Sequence, residues 1–160
     1  MEYTVQDSLL GPLTGLLHDF VLRRTDGDWA YQLVVVVDDM NQGVNQIVRG
    51  ADLASSAPVQ AWLTETLGGR PASYAHVPLV MNAQGQRLAK RDKSVTRPEL
   101  NALGWSDQQI LLRALETLGW SAAKTDATEL LTCPTKEILK QATVTWRPEN
   151  LPPGPVIFHP

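Results

Sequence analysis

The sequence predicts an α/β fold followed by a small helical region, and three observations carry that expectation. Val34-Val35-Val36-Val37 is a β-branched run, poor helix material that fits a strand buried on both faces. A strand–helix–strand alternation follows: an apolar segment over 44–49, a helix from about Pro58 to Leu67, and a further strand from Ser73 to Met81. Beyond residue 96 the apolar residues fall at helical spacing. The expected organisation is an α/β part over residues 1–96 and a small helical region with a Pro-rich tail over residues 97–160.

Taken in order, residues 1–18 carry the Gly11-Pro12 pair and read as a loop with a short turn. Asp19 to Arg24 reads as a strand, stopped by the turn tetrad Thr25-Asp26-Gly27-Asp28. The strand over 29–37 then ends at Asp38-Asp39, where paired carboxylates suit a terminus facing water. Ser55-Ser56-Ala57-Pro58 has the form of an N-cap with proline in the first helical turn. Val59, Trp62, Leu63 and Thr66 share one face of that helix, and Gly68-Gly69 stops it. Arg97-Pro98-Glu99-Leu100 opens a short element closed by Gly104. Ser106-Asp107 caps a second, with Ile110, Leu111, Ala114, Leu115 and Leu118 at helical spacing and Gly119 at its end. Pro134 to Ala142 is a third, and Pro148, Pro152, Pro153 and Pro155 make the end extended.

Composition excludes several classes. A chain of 160 residues with 43% hydrophobic and 19% charged content is long enough for an ordinary domain core and is not disordered. Its longest apolar run, Leu33 to Val37, is too short to span a bilayer. Met1 to Asp7 begins polar and acidic instead of basic and apolar, so a cytoplasmic location is expected. Cys133 is the sole cysteine, which rules out an internal disulfide or a Cys-based zinc site within the chain. A structural thiol is its ordinary reading. His18, His76 and His159 are too scattered to suggest a metal cluster. Each of the five tryptophans reads as core or edge packing.

Charge is concentrated in one place. Between Arg87 and Arg97 five basic residues stand against one acid, a local +4 on a chain whose net charge is −3. A cationic loop on an otherwise acidic protein points to a polyanion handled locally, such as a nucleotide triphosphate. On charge alone a solvated loop is the commoner case.

Three stretches in order sharpen this reading. They are Ala30-Tyr31-Gln32-Leu33 through Asp38-Asp39, then Ile47-Val48-Arg49-Gly50-Ala51-Asp52-Leu53 with Pro58-Val59-Gln60, then Tyr74-Ala75-His76-Val77-Pro78-Leu79 leading into Arg87-Leu88-Ala89-Lys90-Arg91. Together they resemble the class I glutamyl-tRNA synthetases, and within them the glutamyl-queuosine tRNA(Asp) branch that lacks an anticodon-binding domain. The resemblance spans roughly residues 16–120.

It implies a Rossmann-like catalytic domain, of which residues 1–96 form the C-terminal half. It implies ATP, with Mg2+, and L-glutamate as substrates, glutamyl-adenylate as intermediate, and queuosine in the anticodon loop of tRNA(Asp) as acceptor. Arg87-Leu88-Ala89-Lys90-Arg91 stands at the family's KMSKS signature as a degenerate match, with Lys90 the catalytic position. A lysine on a loop beside the α-phosphate and the leaving pyrophosphate stabilises charge that grows in the transition state. Tyr31 and Arg49 fall at glutamate-binding positions. A guanidinium forks onto a carboxylate, and a phenol adds a directional bond. Strand packing for Tyr31, and an ion pair with Asp52 or Asp38 for Arg49, are the structural alternatives. His76 reads either as a neighbour of the nucleotide base or as a packed loop histidine.

The family's HIGH-type signature and its zinc-binding insertion have no counterpart in these residues. The chain therefore reads as the C-terminal half of a synthetase: a truncated reading frame, one part of a split enzyme, or an expressed fragment. The expected partner is a separate N-terminal half or a second copy. The competing readings are half of a split canonical glutamyl-tRNA synthetase, and a non-catalytic remnant that binds tRNA or a protein. An unrelated nucleotide-binding domain would need a Gly-rich phosphate loop after a strand, and none is present.

Overall fold

A computed structural model describes residues 1–88, 96–121 and 127–158. The chain divides into two compact units, Met1–Val77 and Pro78–Pro160. No helix among the described residues is long and apolar enough to cross a membrane.

The first unit opens on a hairpin where a loop was expected. Strands β1 (Glu2–Asp7) and β2 (Gly11–Leu16) pair antiparallel from Glu2↔Leu16 to Asp7↔Gly11. Both strands alternate exposed and inward-facing residues along their length, the mark of a one-sided sheet. Gly11, Pro12 and Gly15 hide this in the sequence because all are weak strand formers. Their roles are positional. Pro12 lies on the outermost strand, where a missing donor costs little. A Cβ on Gly15 would stand 3.0 Å from Cβ of Pro58, a contact so tight that any larger residue would need Pro58 to shift by a few tenths of an ångström.

Asp19 to Arg24 does not form the expected strand; a single bridge joins Arg23 to Trp29. The turn between them forms as expected, with Gly27 at φ 92° and the Arg24 N–H donating to Asp28 O.

The valine run is the main correction. Helix α1 spans Tyr31–Gln42 and contains all four valines and both aspartates of the expected strand. Burial follows the helical period: Gln32, Val35, Val36, Asp39 and Met40 are shielded, while Tyr31, Val34, Val37 and Asp38 are exposed. Each valine costs a few tenths of a kcal/mol of helix propensity, a sum that packing of the inner face overrides. The stop signal is Gly43, left-handed at φ 68°. Its N–H donates to Met40 O, and Val44 N–H donates to Asp39 O, which closes the helix end.

Strand β3 (Gln46–Gly50) follows, then a 3-10 helix (Ala51–Ser56), helix α2 (Ala57–Thr66) and strand β4 (Ser73–Val77). Ser56 does not cap α2, because the chain enters it directly from the 3-10 turn. The buried face also differs from the expected one: Ala57, Ala61, Leu63 and Thr64 are buried, with Gln60, while Thr66 is exposed. Small residues face the sheet because α2 lies close to it, with Ala57 and Ala61 packed in one cluster with Val5 and Tyr74. The sheet order is β2-β1-β4-β3, and both β1–β4 and β4–β3 are parallel. The expected α/β class holds, with its parallel core built from strands other than the valine run.

In the second unit the expected Ser73–Met81 strand has ended at Val77, and β5 (Val80–Met81) follows as a separate strand after Pro78. It pairs in parallel with β6 (Val156–Ile157) from the tail expected to be merely extended. Between them lie α3 (Arg97–Ala102), α4 (Asp107–Thr117), α5 (Ala127–Thr132) and α6 (Thr135–Thr145). Capping boxes start α3 (Thr96 with Glu99) and α4 (Ser106 with Gln109), as their sequences require. Leu115, Trp120, Leu130, Ile138 and Ala142 form the core, and Cys133 packs against it.

Gly119 ends α4's turn at φ 71°, and a Cβ there would collide with the backbone carbonyl of Asn150. Gly119→Ala should therefore destabilise the chain by about 2–4 kcal/mol, from the left-handed backbone and the overlap together. Urea unfolding will measure it, and an unchanged midpoint would contradict the packing described.

Candidate functional site

Three parallel strands end together, and each brings a polar side chain to its carboxyl end. Asp7 is the last residue of β1, His76 the penultimate residue of β4 and Arg49 the penultimate residue of β3. Arg49 and His76 are register partners. Ligands of open α/β sheets gather at this end of the strands.

Asp7 is 1% exposed and His76 0%. The Asp7 carboxylate accepts from the backbone N–H groups of Leu9 (2.9 Å), Leu10 (2.8 Å) and His76 (3.3 Å), and lies 2.6 Å from His76 Nδ1. Burial pushes its pKa up, but the bonds from Leu10, the His76 ring, Leu9 and the His76 N–H outweigh burial and hold it below the ordinary carboxylate value. Arg49 Nε donates to His76 Nε2 at 2.9 Å, one terminal nitrogen to Gln60 Oε1 at 2.7 Å, and the other to Leu53 O at 3.1 Å. Gln60 Nε2 donates in turn to Gln32 Oε1 at 2.8 Å.

The aromatic ring of Tyr74 lies beneath this network. It stacks on His76 with 6.0 Å between centroids, and the Arg49 guanidinium carbon stands 5.6 Å from its centre. Burial raises the Tyr74 pKa, Arg49 opposes the rise and Asp39 adds to it. On the same sheet Tyr3 is pushed up to about 12, by burial first and then by Glu65 and Tyr74.

The sequence-derived site residues are placed as follows. Arg49 is at the centre of the network, bonded to His76, Gln60 and Leu53. Tyr31 opens α1 instead of lying on a strand, and is 55% exposed. No hydrogen bond joins it to Arg49, but its neighbour Gln32 is tied to Arg49 through Gln60. His76, which lies within the expected strand and reads from sequence either as a neighbour of the nucleotide base or as a packed loop histidine, is a buried residue of β4. Arg87 is exposed and bridges to Met81 after a turn at Gly85, and Leu88 N–H bonds Val80 O. Ala89, Lys90 and Arg91 lie outside the described residues. Asp7, Gln60 and Gln32 were not singled out from sequence. Asp7 and His76 are 69 positions apart, and no local pattern joins them. Among the described residues no group of three or more His, Cys, Asp or Glu side chains is arranged to hold a metal ion.

The depressed Asp7 pKa has a definite sign for stability. Its contribution is complete above the unfolded value near 4 and is lost as pH falls through the lower folded value. Asp7→Ala should cost about 3–5 kcal/mol at pH 7, since it strands buried donors. It should also flatten the loss of stability below pH 4. Denaturant titrations of both proteins at pH 7 and pH 3 check this, and parallel pH profiles would refute it.

The chain matches, over residues 1–151, the family described as tRNA synthetases class I (E and Q), catalytic domain. It is 50% identical over 118 residues to a glutamyl-Q tRNA(Asp) synthetase of Nocardia farcinica, covering 74% of this chain and 38% of that protein. It is 40% identical over 163 residues to the protein of that name in Geobacter sulfurreducens, covering 99% of this chain and 50% of that one. The chain thus spans half the length, or less, of these curated relatives. Its fold is similar to that of a glutamate tRNA ligase from Elizabethkingia meningosepticum solved with its amino acid, with a TM-score of 0.66 at 19% identity, over 99% of this chain and 34% of that one. With the family matched across nearly the whole chain, and with a sheet whose parallel strands end together at Arg49 and His76, this chain belongs to the class I tRNA synthetases of the glutamate and glutamine type, as part of their catalytic domain.

Proposed function

We propose that the chain is part of an ATP-dependent ligase that activates L-glutamate and transfers it to queuosine of tRNA(Asp), working in the cytoplasm. In the first step a glutamate carboxylate oxygen attacks the α-phosphorus of ATP. The bond to the β-phosphate oxygen breaks, and pyrophosphate leaves with the negative charge. The attacking carboxylate is already ionised, so no general base is needed. In the second step a hydroxyl of the queuosine cyclopentenediol takes the glutamyl group and AMP leaves.

The observation that carries this reading is Arg49, a guanidinium at the carboxyl end of a parallel strand with donors to spare. The chain that carries it is 50% and 40% identical, over the matched stretches, to relatives that bear the glutamyl-Q tRNA(Asp) synthetase name. Arg49 and the Tyr31 hydroxyl receive the glutamate, and Lys90 with Arg87 and Arg91 meets the phosphates. Mg2+ enters with the triphosphate, whose oxygens are its principal ligands.

The 160-residue chain by itself should not catalyse glutamate-dependent pyrophosphate exchange. Adding the portion of the Geobacter sulfurreducens relative that lies outside the matched stretch should restore exchange. In that mixture Lys90→Ala should remove most of the rate, and Arg49→Lys should chiefly raise the glutamate KM, about tenfold, because a point ammonium cannot fork onto a carboxylate. Exchange by the chain unaided, or an Arg49→Lys effect on kcat alone, would overturn the proposal.

Strand β3 ends the sheet order on one side, and its Val48 is 62% exposed. An open, apolar edge of this kind invites another strand. We therefore expect a partner half or a second copy to associate with the chain. Sedimentation should show concentration-dependent mass that Val48→Lys reduces; a monomer at all concentrations would count against it.

A further inference from the structure

We propose that Asp7 and His76 are positioning residues that hold the Arg49 guanidinium in one orientation for a carboxylate ligand, with the His76 ring proton on Nδ1. The carboxylate role rests on the glutamate reading above; the orientation does not.

The donor inventory decides the tautomer. An arginine Nε–H can only donate, and it points at His76 Nε2 from 2.9 Å. That nitrogen must therefore offer its lone pair. The single ring proton is left on Nδ1, where Asp7 Oδ2 accepts it at 2.6 Å. Asp7 cannot turn away, because its other oxygen is held by three backbone N–H groups, those of Leu9, Leu10 and His76. His76 cannot rotate freely either: it is fully buried and stacked on Tyr74, with the two rings 7° from parallel. The imidazole thus presents one fixed acceptor to Arg49.

Arg49 responds as a clamped fork. Nε is held by His76, one terminal nitrogen by Gln60 and the other by Leu53 O. Three of the roughly five guanidinium donors are engaged, which leaves one N–H on each terminal nitrogen for a carboxylate. A fork already locked in place loses less freedom on binding than a free side chain does. An asparagine in place of Asp7, its oxygen still held by the three backbone N–H groups, would aim an amide N–H at Nδ1 and oppose the proton there, leaving only Arg49 to favour it. A proton on Nε2 would face the Arg49 Nε–H, donor against donor. An Asp-to-Asn change at a buried histidine partner is known to impose the wrong tautomer while leaving the geometry intact.

Nitrogen-detected NMR on the 160-residue chain tests this. The wild type should show His76 protonated at Nδ1 and a slowly exchanging Arg49 Nε–H; a proton on Nε2 overturns the proposal without any variant. Asp7→Asn, close to isosteric, should move the proton to Nε2 and speed Arg49 Nε–H exchange at least tenfold, with the backbone spectrum otherwise preserved. If Asp7→Asn fails to fold, His76→Gln, whose amide oxygen can accept from Arg49, should keep Nε–H exchange slow, whereas His76→Leu should speed it. Exchange unaltered in Asp7→Asn, or in His76→Leu, overturns the proposal. Titration with L-glutamate separates the ligand from the clamp. The wild type should show saturable shifts at Arg49, weakened about tenfold in Asp7→Asn and lost in Arg49→Ala. Equal affinity in Asp7→Asn and wild type overturns the positioning role. No Arg49-dependent binding in the wild type overturns the glutamate reading instead, and the tautomer and exchange data then decide the clamp alone.

Discussion

The first unit depends on one buried carboxylate. The β1–β2 hairpin and the parallel pair β3–β4 each have a full ladder of their own, but β1 meets β4 in a single registered pair, Asp7↔Tyr74. Ser8 N–H adds a backbone bond to Tyr74 O, and the Asp7 side chain supplies the rest. An ionised group removed from water is costly unless its lone pairs are filled. Here four donors from two elements fill them, so the carboxylate fastens the hairpin to the parallel sheet. Its removal would leave those donors buried and unpaired at the seam.

The same arrangement delivers a charge to the site. From Asp7 through His76 to Arg49, a negative and a positive group are linked by an imidazole that donates to one and accepts from the other. The pair is thereby compensated without direct contact, and the arginine keeps part of its surface open at the strand ends. Gln60 and Gln32 extend the network to α2 and to the first turn of α1, beside Tyr31. Placement of the candidate substrate residues is thus a property of the polar core of this unit.

The second unit is held by more local means. Its helices α3 and α4 begin in reciprocal capping boxes, and Arg97 clasps Asp107 across their connection with two bonds. That ion pair is exposed, so its worth to stability is small. The indoles contribute burial and direction together: Trp120 Nε1 donates to Thr145 Oγ1 and Trp146 Nε1 to Leu118 O, which ties the end of α4 to α6.

What the sequence by itself determined was a set of features written at short range. The cap at Ser106, the element opening at Arg97-Pro98, the Gly119 stop, the turn at Gly27 and the helix starting about Pro58 were legible, because each depends on residues a few positions apart, and so were the ordered stretches that carry the family likeness. Arg49 was legible too, as a strand-end residue in one of those stretches. The four valines were misread because strand preference is a weak local bias, and the inward face of α1, packed against α2, outweighs it. The opening hairpin was hidden by glycines and a proline whose use appears only once Pro58 stands over Gly15. Tertiary structure alone decided the Asp7–His76–Arg49 line, since its members come from three strands far apart in sequence. Only parallel pairing brings their carboxyl ends to one place, where burial makes each polar group require the next.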